Sequence, residues 1–155
     1  MRIGYASCEP GQAHEKGREL LATLYKEHTG NPMPRILVTQ RGKPYFPEDR
    51  LHFSISHTGN QVFCVLSEQP VGIDAERMDR KISLQLAEKI LSSTERVRYE
   101  KAQDKRAALL RLWVLKEAEA KRSGQGLCGY PNGTDFDPED PRIQMIEGCY
   151  VAILE

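Results

Sequence analysis

The 155-residue sequence lacks several features that would assign it to a specialised class of protein. It has no surplus charge, since 22 Lys plus Arg stand against 22 Asp plus Glu, and this argues against a general nucleic-acid or membrane-surface binder. No apolar run approaches the roughly 20 residues that cross a bilayer, and the N-terminus carries no apolar signal-peptide region. We therefore expect a cytoplasmic protein that binds neither nucleic acid nor membrane.

Cysteine chemistry is also sparse. The four cysteines stand far apart, with no C-x-x-C pair and no histidine at the spacing of a metal site: Cys8, Cys64, Cys128 and Cys149. We interpret them as isolated thiols rather than zinc ligands or half-disulfides. A chain of this length buries roughly 70% of the surface that its unfolded form exposes, so a single domain over residues 1–155 needs no disulfide or structural metal.

Charge is present but segregated along the chain. Residues 1–50 carry a net charge of +2 and residues 51–94 of −1, whereas residues 95–122 carry +4 and residues 123–155 carry −5. We interpret the third stretch as a helix with a basic surface and the last as an acidic loop followed by strands. An ordinary solvated face is the alternative for both.

Apolar periodicity and turn residues predict a mixed α and β outline. Helices are expected near 13–28, after a cap at Ser83, after a capping box of Ser92 and Glu95, and over about 103–122, closed by Gly124 and Gly126. Strands are expected at 36–38, 53–57, 61–67, 71–76, 143–146 and 150–154. Thr58-Gly59-Asn60 would join the second and third of these strands in a hairpin.

Two acids share one face of the strand predicted at 71–76. Because side chains alternate along a strand, Asp74 and Glu76 project together, and they repel each other unless a cation or a base lies between them. A strand end whose acids meet Arg77, Arg80 or water is the simpler explanation.

A third acid lies on the predicted long helix. Leu110, Trp113 and Glu117 follow helical spacing, so Glu117 emerges on the apolar stripe, where a carboxylate must be paired or must bind a metal. An i,i+4 pair with Lys121 is the simpler explanation. Three carboxylates converging from a strand and a helix would instead form an oxygen-only site that suits Mg²⁺.

Four motifs in order carry a resemblance to a known family. They are Arg41-Gly42-Lys43-Pro44, Phe53-Ser54-Ile55-Ser56-His57, Gly72-Ile73-Asp74-Ala75-Glu76, and Trp113-Val114-Leu115-Lys116-Glu117-Ala118 with Lys121 and Gly124-Gln125-Gly126-Leu127. Over about residues 15–127 the chain resembles the 4′-phosphopantetheinyl transferases of the surfactin-synthetase-activating (Sfp-like) type.

The resemblance implies a fold and an activity. The fold would be α+β, with two similar small halves, 1–70 and 71–155, whose antiparallel sheets are related by a pseudo-two-fold axis, and with the site in the cleft between them. The enzyme would be a monomer, unless an incomplete second half forces the cleft to form between subunits. It would transfer the 4′-phosphopantetheine arm of coenzyme A to a serine of an apo acyl or peptidyl carrier protein and release adenosine 3′,5′-bisphosphate.

The resemblance also implies ligands for the ion and for the pyrophosphate. Asp74, Glu76 and Glu117 match Mg²⁺ ligands, and Lys121 matches a lysine that neutralises the phosphates or protonates the leaving group. The carrier protein's acidic helix would suit the net +4 stretch at 95–122.

Further roles follow by the same comparison. His57 matches a histidine that contacts a coenzyme A phosphate. Arg18 matches a helix arginine that reaches the 3′-phosphate, and Lys43 matches a residue beside that phosphate or the adenine, although either cation could simply be solvated. Glu95 aligns with an acid sometimes given the role of general base, and a helix cap is the equal alternative. The base could be Glu95, Glu117 or a metal-bound water.

The sequence departs from the family at its start. Residues 1–13 precede the first predicted helix, and Arg2 is their sole basic residue, so coenzyme A contacts at that edge would be fewer. Two other functions therefore stay open. One is a non-catalytic module that binds a carrier protein or a nucleotide, and the other is an unrelated Mg²⁺-dependent nucleotide enzyme.

Overall fold

The computed structural model describes residues 1–125 and 134–155. The strands are β1 (Arg2–Ser7), β2 (Leu37–Val38), β3 (Pro44–Tyr45), β4 (His52–Thr58), β5 (Gln61–Ser67), β6 (Gly72–Arg77), β7 (Ile143–Ile146) and β8 (Cys149–Leu154). The helices are α1 (Ala13–Thr29), α2 (Leu86–Ile90), α3 (Ser93–Lys101) and α4 (Lys105–Ser123). Gly126, Leu127 and Cys128, which the sequence analysis used, lie outside the described residues.

The strands form two three-stranded antiparallel sheets of the same topology. The first sheet has the order β1-β5-β4 and the second has the order β6-β8-β7, while β2 and β3 form a separate hairpin. In each sheet a strand leads through helical structure to two further strands, and the last of these is the central one. The mixed α+β fold with small antiparallel sheets is therefore confirmed. The pseudo-two-fold axis, and the single domain with halves at 1–70 and 71–155, stay predictions.

Three apolar clusters join the layers in the order α1, first sheet, second sheet, α4. Leu21 belongs to the cluster between α1 and the first sheet. Phe63 and Ile73 meet between the two sheets, and Leu112 and Leu154 meet between the second sheet and α4. Alternation along β6 sends Ile73 towards the first sheet, so the acids on the opposite face of the strand are turned towards α4.

A glycine lets α4 lie directly on β6. A Cβ added at Gly72 would lie 1.9 Å from the carbonyl oxygen of Ala118 and 2.6 Å from the backbone nitrogen of Arg122. Because no other residue fits at this distance, Gly72 sets how closely the helix approaches the strand. This approach brings the last turns of α4 beside the acidic end of β6.

The local sequence signals were mostly confirmed. The capping box at Ser92 and Glu95 forms as predicted, and Gly124 ends α4 in the left-handed conformation with φ 70°. The cap predicted at Ser83 was wrong, because α2 begins only at Leu86 and has Gln85 in the cap position without a side-chain hydrogen bond. The backbone carbonyl of Ser83 instead accepts from Leu86 N–H and closes a tight turn before the helix.

The sequence patterns did not predict strands β1 and β3. Both β1 and β3 lack a clear apolar alternation, and each forms by pairing with a neighbour that is distant along the chain or across a turn. Cys8, Cys64 and Cys149 are free thiols. Across 1–125 and 134–155, no helix combines the length and apolarity that a membrane crossing requires.

Candidate active site

The acidic face of β6 meets side chains from α4 and β4. Asp74 and Glu76 share this face, as the strand alternation predicts. Lys121 Nζ donates to Asp74 Oδ1 over 2.7 Å, and the Ser56 hydroxyl donates to the same oxygen over 3.0 Å. Asp74 is 6% exposed and is therefore held at the junction of the two sheets and the long helix.

The two oxygens of Asp74 have different surroundings. Oδ1 accepts the two hydrogen bonds, whereas Oδ2 is buried and has no hydrogen-bond partner among the described residues. Loss of solvation on burial raises the pKa of Asp74, and the nearby Lys121 ammonium opposes that change. A buried carboxylate oxygen without a partner is costly, and a bound cation would remove that cost.

Glu76, unlike Asp74, has a partner on each of its two carboxylate oxygens. Thr58 Oγ1 donates to Oε2 over 3.2 Å, and Arg80 pairs with Oε1. Of the two arginines that the sequence offered as partners, Arg80 is the one bonded to Glu76, because Arg77 pairs with Asp79. Because the Arg80 side chain is substantially exposed, an incoming ion can compete with it for Glu76 at modest cost.

A cavity of about 300 Å³ shares Lys121 with this cluster. The turn before β3 contributes Arg41 and Lys43 to its lining, and α4 contributes Glu117 and Lys121. Phe53 and Ile55 of β4 add apolar residues to the lining. A concave surface that combines cations with an apolar wall suits a ligand that carries both phosphates and an aromatic or aliphatic portion.

Lys43 connects the β2–β3 hairpin to the end of α4. Its Nζ donates to the backbone carbonyl of Arg122, one of the carbonyls that a helix leaves unpaired at its C-terminus. Burial lowers the pKa of Lys43, and the charge of Arg122 lowers it further. The aliphatic part of Lys43 crosses Gly124, where an added Cβ would lie 3.0 Å from Lys43 Cδ.

The other two residues predicted to bind coenzyme A lie elsewhere in the first half. Arg18 is a half-buried residue of α1, and His57 is exposed near the end of β4. By alternation His57 shares the face of β4 that carries Phe53 and Ile55, which line the cavity. The described lining of the cavity contains neither Arg18 nor His57, and their roles stay predictions.

Glu95 lies in the interior between α3 and α4. Its Oε2 accepts from Ser92 N–H over 2.9 Å and pairs with Lys116 Nζ at 2.8 Å, and its Oε1 accepts from Phe136 N–H over 3.0 Å. The side chains of Glu95 and Lys116 are both fully buried. Of the two roles that the sequence left open, this geometry favours the helix cap.

The sequence patterns did not predict the roles of two residues, Lys116, which pairs with Glu95, and Ser56, which donates to Asp74. Lys116 lies four residues after Leu112 and therefore on a buried face of α4, a signal that a lysine needs an internal partner. Ser56 occupies the same face of β4 as Ser54, which indicated two small polar groups pointing inward. Their partners could not be identified, because Glu95 and Asp74 lie on other elements.

The chemistry and spacing of the carboxylates show how far the site meets the requirements of a Mg²⁺ ion. Hard carboxylate oxygens are its usual ligands, and the unpaired Asp74 Oδ2 has the chemistry and burial of one. Among the described residues, no three groups of suitable type already lie close enough together to hold a metal. Asp74 thus offers one oxygen of the kind that Mg²⁺ prefers, and the convergence of Glu76 and Glu117 with it stays a prediction.

Fold and site together define an α+β protein with a cationic, partly apolar cavity beside a buried carboxylate. Comparisons with known proteins identify the family within this broad structural class. The family model of the 4′-phosphopantetheinyl transferase superfamily matches residues 70–147, half of the chain. That range contains β6, α4 and therefore Asp74, Glu76, Glu117 and Lys121. The chain belongs to the 4′-phosphopantetheinyl transferase superfamily.

Individual relatives extend the match into the first half. The chain is 38% identical over 99 residues to 4′-phosphopantetheinyl transferase Sfp of Bacillus subtilis (strain 168), which covers 60% of this chain and 42% of the relative. It is 38% identical over 114 residues to 4′-phosphopantetheinyl transferase gsp of Aneurinibacillus migulanus (70% and 47%). It is 34% identical over 118 residues to 4′-phosphopantetheinyl transferase AcpT of Escherichia coli O157:H7 (73% and 60%). The matches thus span 42% to 60% of the relatives' own lengths.

Proposed function

We propose that this protein transfers the 4′-phosphopantetheine arm of coenzyme A to a serine of an apo acyl or peptidyl carrier protein and releases adenosine 3′,5′-bisphosphate. The observation that carries the proposal is the position of Lys121. It bonds to the buried carboxylate of Asp74 and also lines the cationic cavity, so it joins a site for a cation to a site for phosphates. The names of the relatives support the same reaction.

The cavity would bind coenzyme A through its charges. Arg41, Lys43 and Lys121 supply positive charge for the phosphates, and the wall beside Phe53 supplies apolar surface for the rest of the ligand. Lys43 Nζ donates to the backbone carbonyl of Arg122, and a phosphate can replace that carbonyl or share the ammonium with it. His57 and Arg18 would extend this binding surface along β4 and α1.

Mg²⁺ would be held by Asp74, Glu76 and Glu117. When bound, it neutralises and orients the charge of a pyrophosphate, which is the main requirement of phosphoryl transfer. Asp74 is prepared for this role because Oδ1 is fixed by Lys121 and Ser56 while Oδ2 has no partner in the described chain.

The transfer would use Glu117 and Lys121 on successive turns of α4. The carrier serine loses its proton to Glu117 as its oxygen bonds to the phosphorus that carries the pantetheine. The bond from that phosphorus to the bridging pyrophosphate oxygen breaks, and Lys121 neutralises the leaving adenosine 3′,5′-bisphosphate or gives it a proton. Glu95 does not enter this proposal as a base, because both of its oxygens are engaged in the interior.

The proposal also covers the cellular location, the oligomeric state and the partner protein. We propose a cytoplasmic location, as the composition predicts, and a monomer, because each sheet packs against its own helix in its own apolar cluster. The acyl or peptidyl carrier protein would meet the basic stretch at 95–122.

Mass spectrometry of the carrier protein tests the reaction. The protein is mixed with coenzyme A, Mg²⁺ and each of several apo carrier proteins, and a matched sample contains EDTA. We expect a gain of one phosphopantetheine that EDTA abolishes. Absence of any gain with all carriers would refute the activity, and binding of a carrier without a mass gain would identify a non-catalytic module.

Single substitutions in the same assay test the site. Asp74→Ala and Glu117→Ala are each expected to abolish transfer while the circular dichroism spectrum stays that of the wild type. Near-wild-type transfer by either variant would remove that residue from the proposed metal site.

A further inference from the structure

Two edge strands from different sheets meet beside the site. β4 is an edge of the first sheet and β6 is an edge of the second. The Ser54 hydroxyl oxygen accepts from Ile73 N–H, and the Ser56 hydroxyl oxygen accepts from Ala75 N–H, each over 3.2 Å. The two hydroxyls thus satisfy backbone donors of β6 that its other neighbour, β8, does not reach, and buried donors left unpaired would be costly.

The two serines differ in what they do with their own proton. The Ser56 hydroxyl accepts the Ala75 N–H and donates its hydrogen to Asp74 Oδ1 over 3.0 Å. Within the described chain, Ser54 makes the backbone contact but has no bond to a carboxylate. Both serines are buried on the same face of β4, so they form a nearly matched pair that differs in the contact with Asp74.

We infer that Ser56 is a positioning residue for Asp74, a role that rests on the proposed Mg²⁺-dependent function. Its hydroxyl and Lys121 approach Oδ1 from two different elements, β4 and α4, and together they fix the plane of the carboxylate. The same geometry leaves Oδ2 as the oxygen available to the ion. Ser56 does not touch the ion or the substrate in this account, and it acts through Asp74.

The loss of a hydrogen bond that orients a metal ligand has a typical effect on metal affinity. Removal of a group that orients a metal ligand weakens metal binding by roughly tenfold to a hundredfold. We therefore expect Ser56→Ala to weaken divalent-ion binding by at least about tenfold, within that range. Ser54→Ala loses a comparable backbone bond but keeps the Ser56–Asp74 contact, so its ion affinity should stay within about twofold of the wild type.

The experiment measures Mn²⁺ binding at equilibrium by electron paramagnetic resonance of the free ion. Mn²⁺ alone is used, without coenzyme A, because Ser54 also lines the cavity and its substitution could change ligand affinity. Urea unfolding of both alanine variants is run in parallel, because each removes one acceptor for a β6 N–H. Ser56→Ala is expected to lose more stability than Ser54→Ala, since it also removes the donor to Asp74. Ser56→Thr keeps the hydroxyl and is expected to restore Mn²⁺ affinity.

The outcomes separate this inference from the proposed function. Equal Mn²⁺ affinity in Ser56→Ala and Ser54→Ala overturns the positioning role, whether or not the wild type is active. A selective loss in Ser56→Ala that Ser56→Thr repairs supports it, even if no carrier protein gains mass and the proposed function fails. A wild type that binds no Mn²⁺ overturns the inference. If Ser56→Ala does not fold, Ser56→Cys and Ser54→Cys carry the same comparison, because a thiol fills the space of the hydroxyl but is only a weak donor and acceptor.

Discussion

Gly72→Ala directly tests how closely α4 packs on β6. The added methyl would lie 1.9 Å from the carbonyl oxygen of Ala118, where a contact of at least 3 Å is needed, so α4 must move away by about 1 Å. Overpacking of this kind costs about 1–3 kcal/mol of stability. The same shift moves Lys121 and Glu117 relative to Asp74, and a misplacement of about 1 Å can lower a reaction rate by about a hundredfold.

Two measurements on Gly72→Ala follow from this displacement. We expect kcat/KM for the proposed transfer to fall by roughly a hundredfold, and urea unfolding to show a loss of about 1–3 kcal/mol. Gly4→Ala is the matched control, because its methyl would meet the movable side-chain end of Leu20 at 2.9 Å and lies on β1. Its kcat/KM should stay close to that of the wild type. Wild-type kinetics and stability in Gly72→Ala would refute the close seating of α4.

Three further predictions concern buried and titratable groups away from the transfer chemistry. Lys116→Met leaves Glu95 as an unpaired buried charge and should lower the free energy of unfolding in urea by about 3–5 kcal/mol, while addition of Glu95→Gln should recover part of that loss. The hydrogen bond from Tyr25 lowers the pKa of Asp49 below its ordinary value of 3.8, so the stability it contributes is present above that value and lost as pH falls through the lowered pKa. Unfolding of Asp49→Asn should accordingly depend less steeply on pH below about 4 than that of the wild type; an equal slope would contradict this. Burial raises the pKa of Cys64 to about 12, and its alkylation by iodoacetamide at pH 8 should require unfolding, as peptide mapping would reveal.

Short-range patterns predicted the elements whose stability is local. The helix at Ala13–Thr29, the hairpin of β4 and β5, and the capping box at Ser92 and Glu95 depend on residues that are close together in the chain. β1 is different, since its backbone pairs with β5 about sixty residues later and its own residues carry little apolar alternation. At Ser83 the local pattern predicted a helix cap that does not form. A tight turn at this residue precedes α2, which begins at Leu86.

The candidate site divides in the same way. The alternation of β6 predicted that Asp74 and Glu76 share a face, and helical spacing on α4 predicted that Glu117 lies near the sheet-facing side. Neither pattern predicted which cation would meet which acid. Lys121 bonds to Asp74 across the gap between α4 and β6, because the packing of α4 on Gly72 sets that distance. Arg80 lies four residues after Glu76 and bonds to it from the turn that follows β6.

By itself the sequence determined the family, the principal local elements and the types of residue available for chemistry, because motifs, caps and periodicity act over a few residues. The tertiary structure decided the partners. Glu95 became a buried cap that binds Lys116, and Ser56 became a donor to Asp74, because packing brings together groups that are about twenty residues apart in the chain. Hydrogen bonds and ion pairs act over about 3 Å, so their pattern exists only once the layers have packed.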